Sequence, residues 1–144
     1  MQPSLTPALS LTLEQRRCVR DSFDLLRDQA IPFGLLFYGK LFELDPAARQ
    51  LFHVDLSVQV QKLMDMLTSV VESLDNFEGL HARLAELGRK HTEYGVRPEQ
   101  YEILTEALLW SMAQALGPDF DSPTRETWRA ALAFISAVMK SGAG

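Results

Sequence analysis

Residues 76 to 96 read NFEGLHARLAELGRKHTEYGV. Phe77, Leu80, Leu84, Leu87 and His91 recur at intervals of three and four, the spacing that stacks side chains on one face of an α-helix. Asparagine favours a helix start and glycine a helix end. The stretch therefore predicts a helix opened by Asn76 and running to Tyr94, with a stop at Gly95. His91 closes its apolar stripe near the C-terminal end. The helix dipole there favours a charged imidazolium, whereas burial favours the neutral ring. The neutral ring is the form that ligates metal. Spacing alone leaves two readings open, a histidine satisfied within the core and a metal ligand.

Upstream, residues 57 to 74 (SVQVQKLMDMLTSVVESL) predict another helix. Leu67, Val70 and Leu74 fall within about 40° of Leu63 on a helical wheel. Gln59 lies about 40° to the other side, so its amide points with the apolar stripe. Gln61 projects away with Asp65 and Glu72. An inward amide needs partners, either backbone or a bound ligand.

The segment IPFGLLFYGKLFEL (31 to 44) is apolar over most of its surface, as in a helix buried on several sides. Pro32 suits its first turn. Tyr38 shares a face with Ile31, Leu35 and Phe42, so its hydroxyl also needs an internal partner. Asp45-Pro46 reads as a cap and restart for a short helix ending near Phe52. Thr12 with Gln15 has the form of a capping box for a helix from Leu13 to Gln29. Arg97-Pro98 opens a long helix ending at Leu116-Gly117-Pro118, and Ser122-Pro123 opens the last, to about Lys140. No stretch alternates as a strand would. The expectation is an all-α fold of about seven helices in one domain spanning 1 to 144, with tails at about 1 to 11 and 141 to 144.

The chain of 144 residues suffices for a core without disulfides. Its hydrophobic and charged fractions, 47% and 23%, are those of a globular protein. A net charge of −5 argues against nucleic acid as a partner. The lone Cys18 excludes an internal disulfide and any multi-thiolate metal site, and reads as a small buried hydrophobe. No apolar run reaches the ~18 residues of a membrane span. The N-terminus lacks the basic start and hydrophobic region of a secretory signal. A cytoplasmic location and no membrane partner are expected. His53 and His81 read as surface residues, and no short ligand motif joins His53 to His91.

The run FGLLFYGKLFELDPAARQLF (33 to 52), then SVQVQKLM (57 to 64), then LGRKHTEYGV (87 to 96), resembles bacterial single-domain globins. The globin domains of flavohaemoglobins and their free-standing counterparts share this order and spacing. The resemblance covers about residues 12 to 140. It implies a three-over-three globin fold around a haem b group. It places His91 as the proximal iron ligand and Phe52 against the haem face. Gln59 falls on the distal position and Leu63 over the iron, while Tyr38 matches the distal tyrosine. Tyr101 matches a tyrosine near the proximal histidine. Val96 and Leu87 match haem-packing residues. Lys62 and Arg89 are candidates for the haem propionates, because cations at a pocket mouth suit carboxylates.

What the resemblance implies is reversible binding of O₂, NO or CO, with Tyr38 and Gln59 donating hydrogen bonds to the ligand. Such a bond is worth roughly 0.5–3 kcal/mol, which slows O₂ release by about two- to over a hundredfold. Oxygen storage and nitric oxide dioxygenation, the conversion of NO and O₂ to nitrate, use the same donors. Both stay open, as do a gas- or redox-sensing module of globin fold and a haem-free bundle in which His91 is structural. Two features depart from the flavohaemoglobin pattern. Val138-Met139-Lys140-Ser141-Gly142 offers no glutamate to the proximal side, which weakens a peroxidase-like reading. No flavin or nicotinamide module is present in the sequence, so turnover implies a separate reductase. A monomer or weak homodimer is expected.

Overall fold

The capping box anticipated at Thr12 forms in the computed structural model, which describes residues 11–52 and 55–143. The Gln15 N–H donates to Thr12 Oγ1 at 3.0 Å and the Thr12 N–H donates to Gln15 Oε1 at 2.9 Å. These bonds satisfy donors that a helix start otherwise leaves open. They launch α1 (Leu13–Arg27). There follow α2 (Ala30–Leu44), a 3₁₀ helix (Pro46–Leu51), α3 (Leu56–Glu72), α4 (Phe77–Glu93), α5 (Gln100–Leu116) and α6 (Ser122–Ala143). A short 3₁₀ turn, Gly117–Asp119, joins the last two helices. The described residues contain no strand.

The described residues form seven main helices, the all-α arrangement expected. The boundaries differ in detail. Pro32 is the third residue of α2, inside the first turn where its missing N–H costs nothing. The last helix runs on to Ala143, past the end expected at Lys140. His53 and residues 1 to 10 lie outside the described residues. Among the described residues, no helix is long and apolar enough to cross a membrane.

Phe23, Leu26, Phe33, Leu67, Leu109, Met112 and Trp128 are fully buried. At roughly 25 cal/mol per Å² of apolar surface, such side chains are the main source of stability. The Trp128 indole N–H donates to Ser22 Oγ at 2.8 Å, so its polar atom is paired within the core. Cys18 is half-buried and its thiol donates to Thr124 Oγ1 at 3.4 Å, joining α1 to α6.

Two close approaches set the helices that carry the site. At Gly34 an added Cβ would meet both Val60 methyls at 2.5 Å, so α2 crosses tightly against α3. Tyr38 stands one turn beyond Gly34, and Gln59 is next to Val60. At Gly88 an added Cβ would lie 2.1 Å from the Met139 carbonyl oxygen, so α4 presses against the backbone of α6. His91 stands three residues beyond Gly88. Alanine would ordinarily stabilise a helix interior by up to about 1 kcal/mol over glycine. Here the overpacking is against backbone, which cannot rotate away. Gly88→Ala is therefore expected to lose roughly 1–3 kcal/mol of stability. Urea unfolding checks this, and an unchanged or raised midpoint would contradict the tight α4–α6 approach.

Candidate functional site

The helix carrying His91 ends in a complete left-handed cap. Gly95 has φ +101°, a conformation that glycine adopts without strain. The Gly95 N–H donates to the Thr92 carbonyl at 3.0 Å and the Val96 N–H to the His91 carbonyl at 2.9 Å. This crossed pair of bonds is the Schellman motif. It gives the H-x-x-x-G-V spacing a physical reason. The fourth residue past the histidine must turn left-handed, and the fifth folds back onto the histidine's own carbonyl.

His91 is half-buried. Its Nδ1 lies 2.9 Å from the Leu87 carbonyl oxygen. A carbonyl only accepts, so Nδ1 carries the proton and donates it. Nε2 is left with its lone pair. Burial pushes the His91 pKa below the ordinary imidazole value, and the bond to Leu87 opposes this in part. The ring is therefore neutral near pH 7, with one nitrogen fixed as donor and the other available as a metal ligand. Leu87 and Val96 are half-buried beside it in sequence. Tyr101 is buried, 3% exposed, and its hydroxyl has no hydrogen-bond partner among the described residues. Burial raises its pKa and keeps it protonated. The backbone of Leu87, and not Tyr101, sets the tautomer of His91.

The structure brings Tyr38, Phe52 and Gln59 together. Phe52 follows the 3₁₀ helix, and its ring packs edge-on to Tyr38 with centroids 5.2 Å apart. Phe42 lies 5.7 Å from Phe52 and 6.2 Å from Tyr38. Tyr38 is 4% exposed, and its hydroxyl donates to the backbone carbonyl of Gln59 at 3.2 Å. Burial drives its pKa far up, so the phenol stays a donor. The side-chain amide of Gln59 is half-buried and has no hydrogen-bond partner among the described residues. Leu63, one turn on, is 8% exposed.

Two clusters thus stand on different helices, Tyr38, Phe52, Gln59 and Leu63 on α2, α3 and the segment between them, and Leu87, His91 and Val96 on α4 and its cap. α3 packs chiefly on α2 and α4 chiefly on α6, while α3 and α4 share little direct contact. The two propionate candidates lie at the surface. Lys62 is exposed. Arg89 is exposed on the far side of α4, about 160° around the helix from His91. Its guanidinium pairs with Glu86 and, at 2.6 Å, with Glu93. His81 is half-buried rather than on the surface.

Sequence reading missed Gln100. Its side chain is 6% exposed and bonds in two directions. Oε1 accepts from the Arg97 N–H at 2.8 Å, and Nε2 donates to Asp45 Oδ2 at 3.0 Å. Asp45 was read as a local cap, but its side chain makes no capping bond to the 3₁₀ helix. It is turned to Gln100 instead. An open groove of about 680 Å³, lined by Lys40, Ile103, Trp110 and Arg125 among others, shares no residue with either cluster.

A family model described as Globin matches residues 35–139. The chain belongs to the globin family. Neuroglobin-1 of Oncorhynchus mykiss is 29% identical over 146 residues, covering 92% of this chain and 92% of that protein. A flavohemoprotein of Vibrio cholerae is 27% identical over 132 residues, covering 89% of this chain but 33% of its own length. This globin therefore spans about a third of that flavohemoprotein. The expected kinship with flavohaemoglobin domains is met, and neuroglobins match at a similar identity. Among solved structures, an engineered carbene transferase made from a candidate nitric oxide dioxygenase of Rhodothermus marinus superposes with a TM-score of 0.82. It has 26% identity and covers 93% of this chain and 94% of that one. A hexacoordinated haem protein from an anhydrobiotic tardigrade shares the fold, with a TM-score of 0.85 at 15% identity, over 94% of this globin and 96% of that chain.

Proposed function

We propose that this globin binds haem b through His91 and holds a diatomic gas on the side of Tyr38 and Gln59. The observation that carries the reading is the tautomer of His91. Its Nδ1–H is tied to the Leu87 carbonyl, and burial keeps the ring neutral. Nε2 would hold the iron, and the hydrogen bond on the other nitrogen would fix the ring's orientation and raise its basicity. Leu87, Val96, Phe52 and Leu63 supply apolar surface of the kind a porphyrin buries. Haem, when bound, supplies the open coordination position for O₂, NO or CO.

The residues of this chain then do four things. His91 anchors. The aromatic cluster of Phe42, Phe52 and Tyr38 keeps one side of the site apolar. Gln59 offers an N–H donor, without a partner among the described residues, to a ligand that gathers negative charge, with Tyr38 as a second donor once it releases the Gln59 carbonyl. Tyr101 adds a buried hydroxyl, without a partner among the described residues, which would orient polar groups on the His91 side.

Titration of the haem-free protein with haemin tests this reading. One equivalent is expected to produce a Soret band and, on reduction, a spectrum that shifts with CO. No Soret change on addition of haemin would overturn it. Nitric oxide dioxygenation is a finer reading, supported by the likeness to the Rhodothermus marinus protein. It predicts sustained NO consumption with O₂ when a separate reductase supplies electrons. A single-turnover reaction that never recycles under those conditions would leave ligand binding alone.

A further inference from the structure

We propose that Gln100 is a positioning residue whose buried amide latches the corner behind His91 to the turn that delivers Phe52, and so sets how firmly haem is retained. The inference rests on the haem reading above. It assigns a role to two residues, Gln100 and Asp45, that belong to neither cluster.

The bonds form a continuous path. The His91 carbonyl accepts from the Val96 N–H at 2.9 Å. The next residue, Arg97, donates its N–H to Gln100 Oε1 at 2.8 Å. Gln100 Nε2 donates to Asp45 Oδ2 at 3.0 Å. The Asp45 carbonyl accepts from the Ala48 N–H at 2.9 Å, inside the 3₁₀ helix that leads to Phe52. The Asp45 N–H donates to the Leu41 carbonyl at 2.8 Å, at the end of the helix that carries Tyr38. One end of the path is the backbone of the proposed ligand, and the other is the segment holding Phe52 and Tyr38.

The chemistry of Gln100 suits this position. A primary amide accepts on one atom and donates on the other, so a single side chain joins an N–H to a carboxylate. The donor bond is charge-assisted, the stronger class of neutral–ionic hydrogen bond. The side chain is 6% exposed, so water does not readily replace a lost partner. The bond joins the first residue of α5 to the cap of α2, two helices that also pack on each other. It fixes the ends of that packed pair, where the corner behind His91 and the turn before Phe52 begin.

The test uses reversal of the pair in the haem-loaded protein, read as haemin transfer to an excess of a haem-scavenging apoprotein. Gln100→Glu keeps an acceptor for Arg97 but sets two carboxylates against each other. It is expected to release haemin about tenfold faster. The double variant Gln100→Glu with Asp45→Asn turns the bond around, the new amide donating to the new carboxylate. It is expected to return to within about twofold of the original rate. The iron–histidine stretching band of the ferrous protein should broaden or move in the single variant and return in the double. If Gln100→Glu does not fold, Asp45→Ala at the more exposed end should still speed haemin release several-fold. Release at the original rate in these single variants would overturn the latch. Fast release without recovery in the double variant would also overturn it, because packing damage is not repaired by reversing a bond. A wild-type protein that takes up no haemin would instead defeat the haem reading itself.

Discussion

Replacing His91 with alanine is expected to abolish the histidine-ligated ferrous spectrum and to weaken haemin retention by more than the roughly 10–100-fold that loss of a supporting hydrogen bond costs a metal site. His91 sits in the last turn of α4, and among the described residues its only polar side-chain contact is the bond from Nδ1 to the Leu87 carbonyl. That carbonyl also accepts the helical N–H four residues on, so removing the ring leaves no buried group without a partner. Alanine also has the higher helix propensity. The haem-free variant should therefore keep its helical circular dichroism, with stability changed by no more than about 1 kcal/mol. A large effect on haem without a large effect on the haem-free fold distinguishes a ligand from a core histidine. His91→Gly sharpens the test. Free imidazole, added to fill the space, should restore the ligated spectrum. A Soret band and ferrous spectrum unchanged in His91→Ala would refute ligation through this residue.

The legibility of His91 in the sequence has a simple cause. The cap that follows it is local, with every bond of the Schellman motif closing within five residues. The residue types that make it, Gly95 and Val96, are written in order along the chain. The capping box at Thr12 and the asparagine cap at Asn76 are legible for the same reason. Helical periodicity also placed Gln59 with its apolar stripe. What it could not supply was a choice of partners. Tyr38 was expected to need an internal acceptor, and the acceptor is the carbonyl of Gln59, 21 positions away.

Asp45 shows the same limit more sharply. Aspartate before proline is a common helix-start signal, yet this carboxylate answers an amide 55 positions later. Gly88 carries no local mark of its role, because the backbone it meets belongs to another helix. The partners of Arg89 are local and were legible: its place on the helical wheel is opposite His91, and Glu86 and Glu93 stand at i−3 and i+4 to receive it. Short-range periodicity and caps were written in the sequence, whereas pairings that depend on how helices cross were not.

Among the distal variants, Gln59→Leu is expected to accelerate O₂ release by about ten- to a hundredfold, and Tyr38→Phe by less than about threefold. This ordering separates two donors that look equivalent in sequence. The Tyr38 proton is already given to the Gln59 carbonyl at 3.2 Å, within a site where the phenol is 4% exposed. If Tyr38 turns to a gas ligand, it exchanges one acceptor for another, while the half-buried Gln59 carbonyl keeps its partner within the helix. Its net contribution is the difference between two hydrogen bonds. Gln59 makes no such exchange, because its side-chain amide has no partner among the described residues. A bond from that amide to the ligand is a gain with little to offset it. The effect should depend on ligand charge. O₂ takes up partial negative charge and rewards a donor, while CO does so far less, so CO release should change only slightly in both variants. Stopped-flow displacement of each gas from the ferrous protein measures these rates. If Tyr38→Phe speeds O₂ release more than Gln59→Leu, the hydroxyl leaves the Gln59 carbonyl when ligand arrives, and the assignment of Gln59 as principal donor fails.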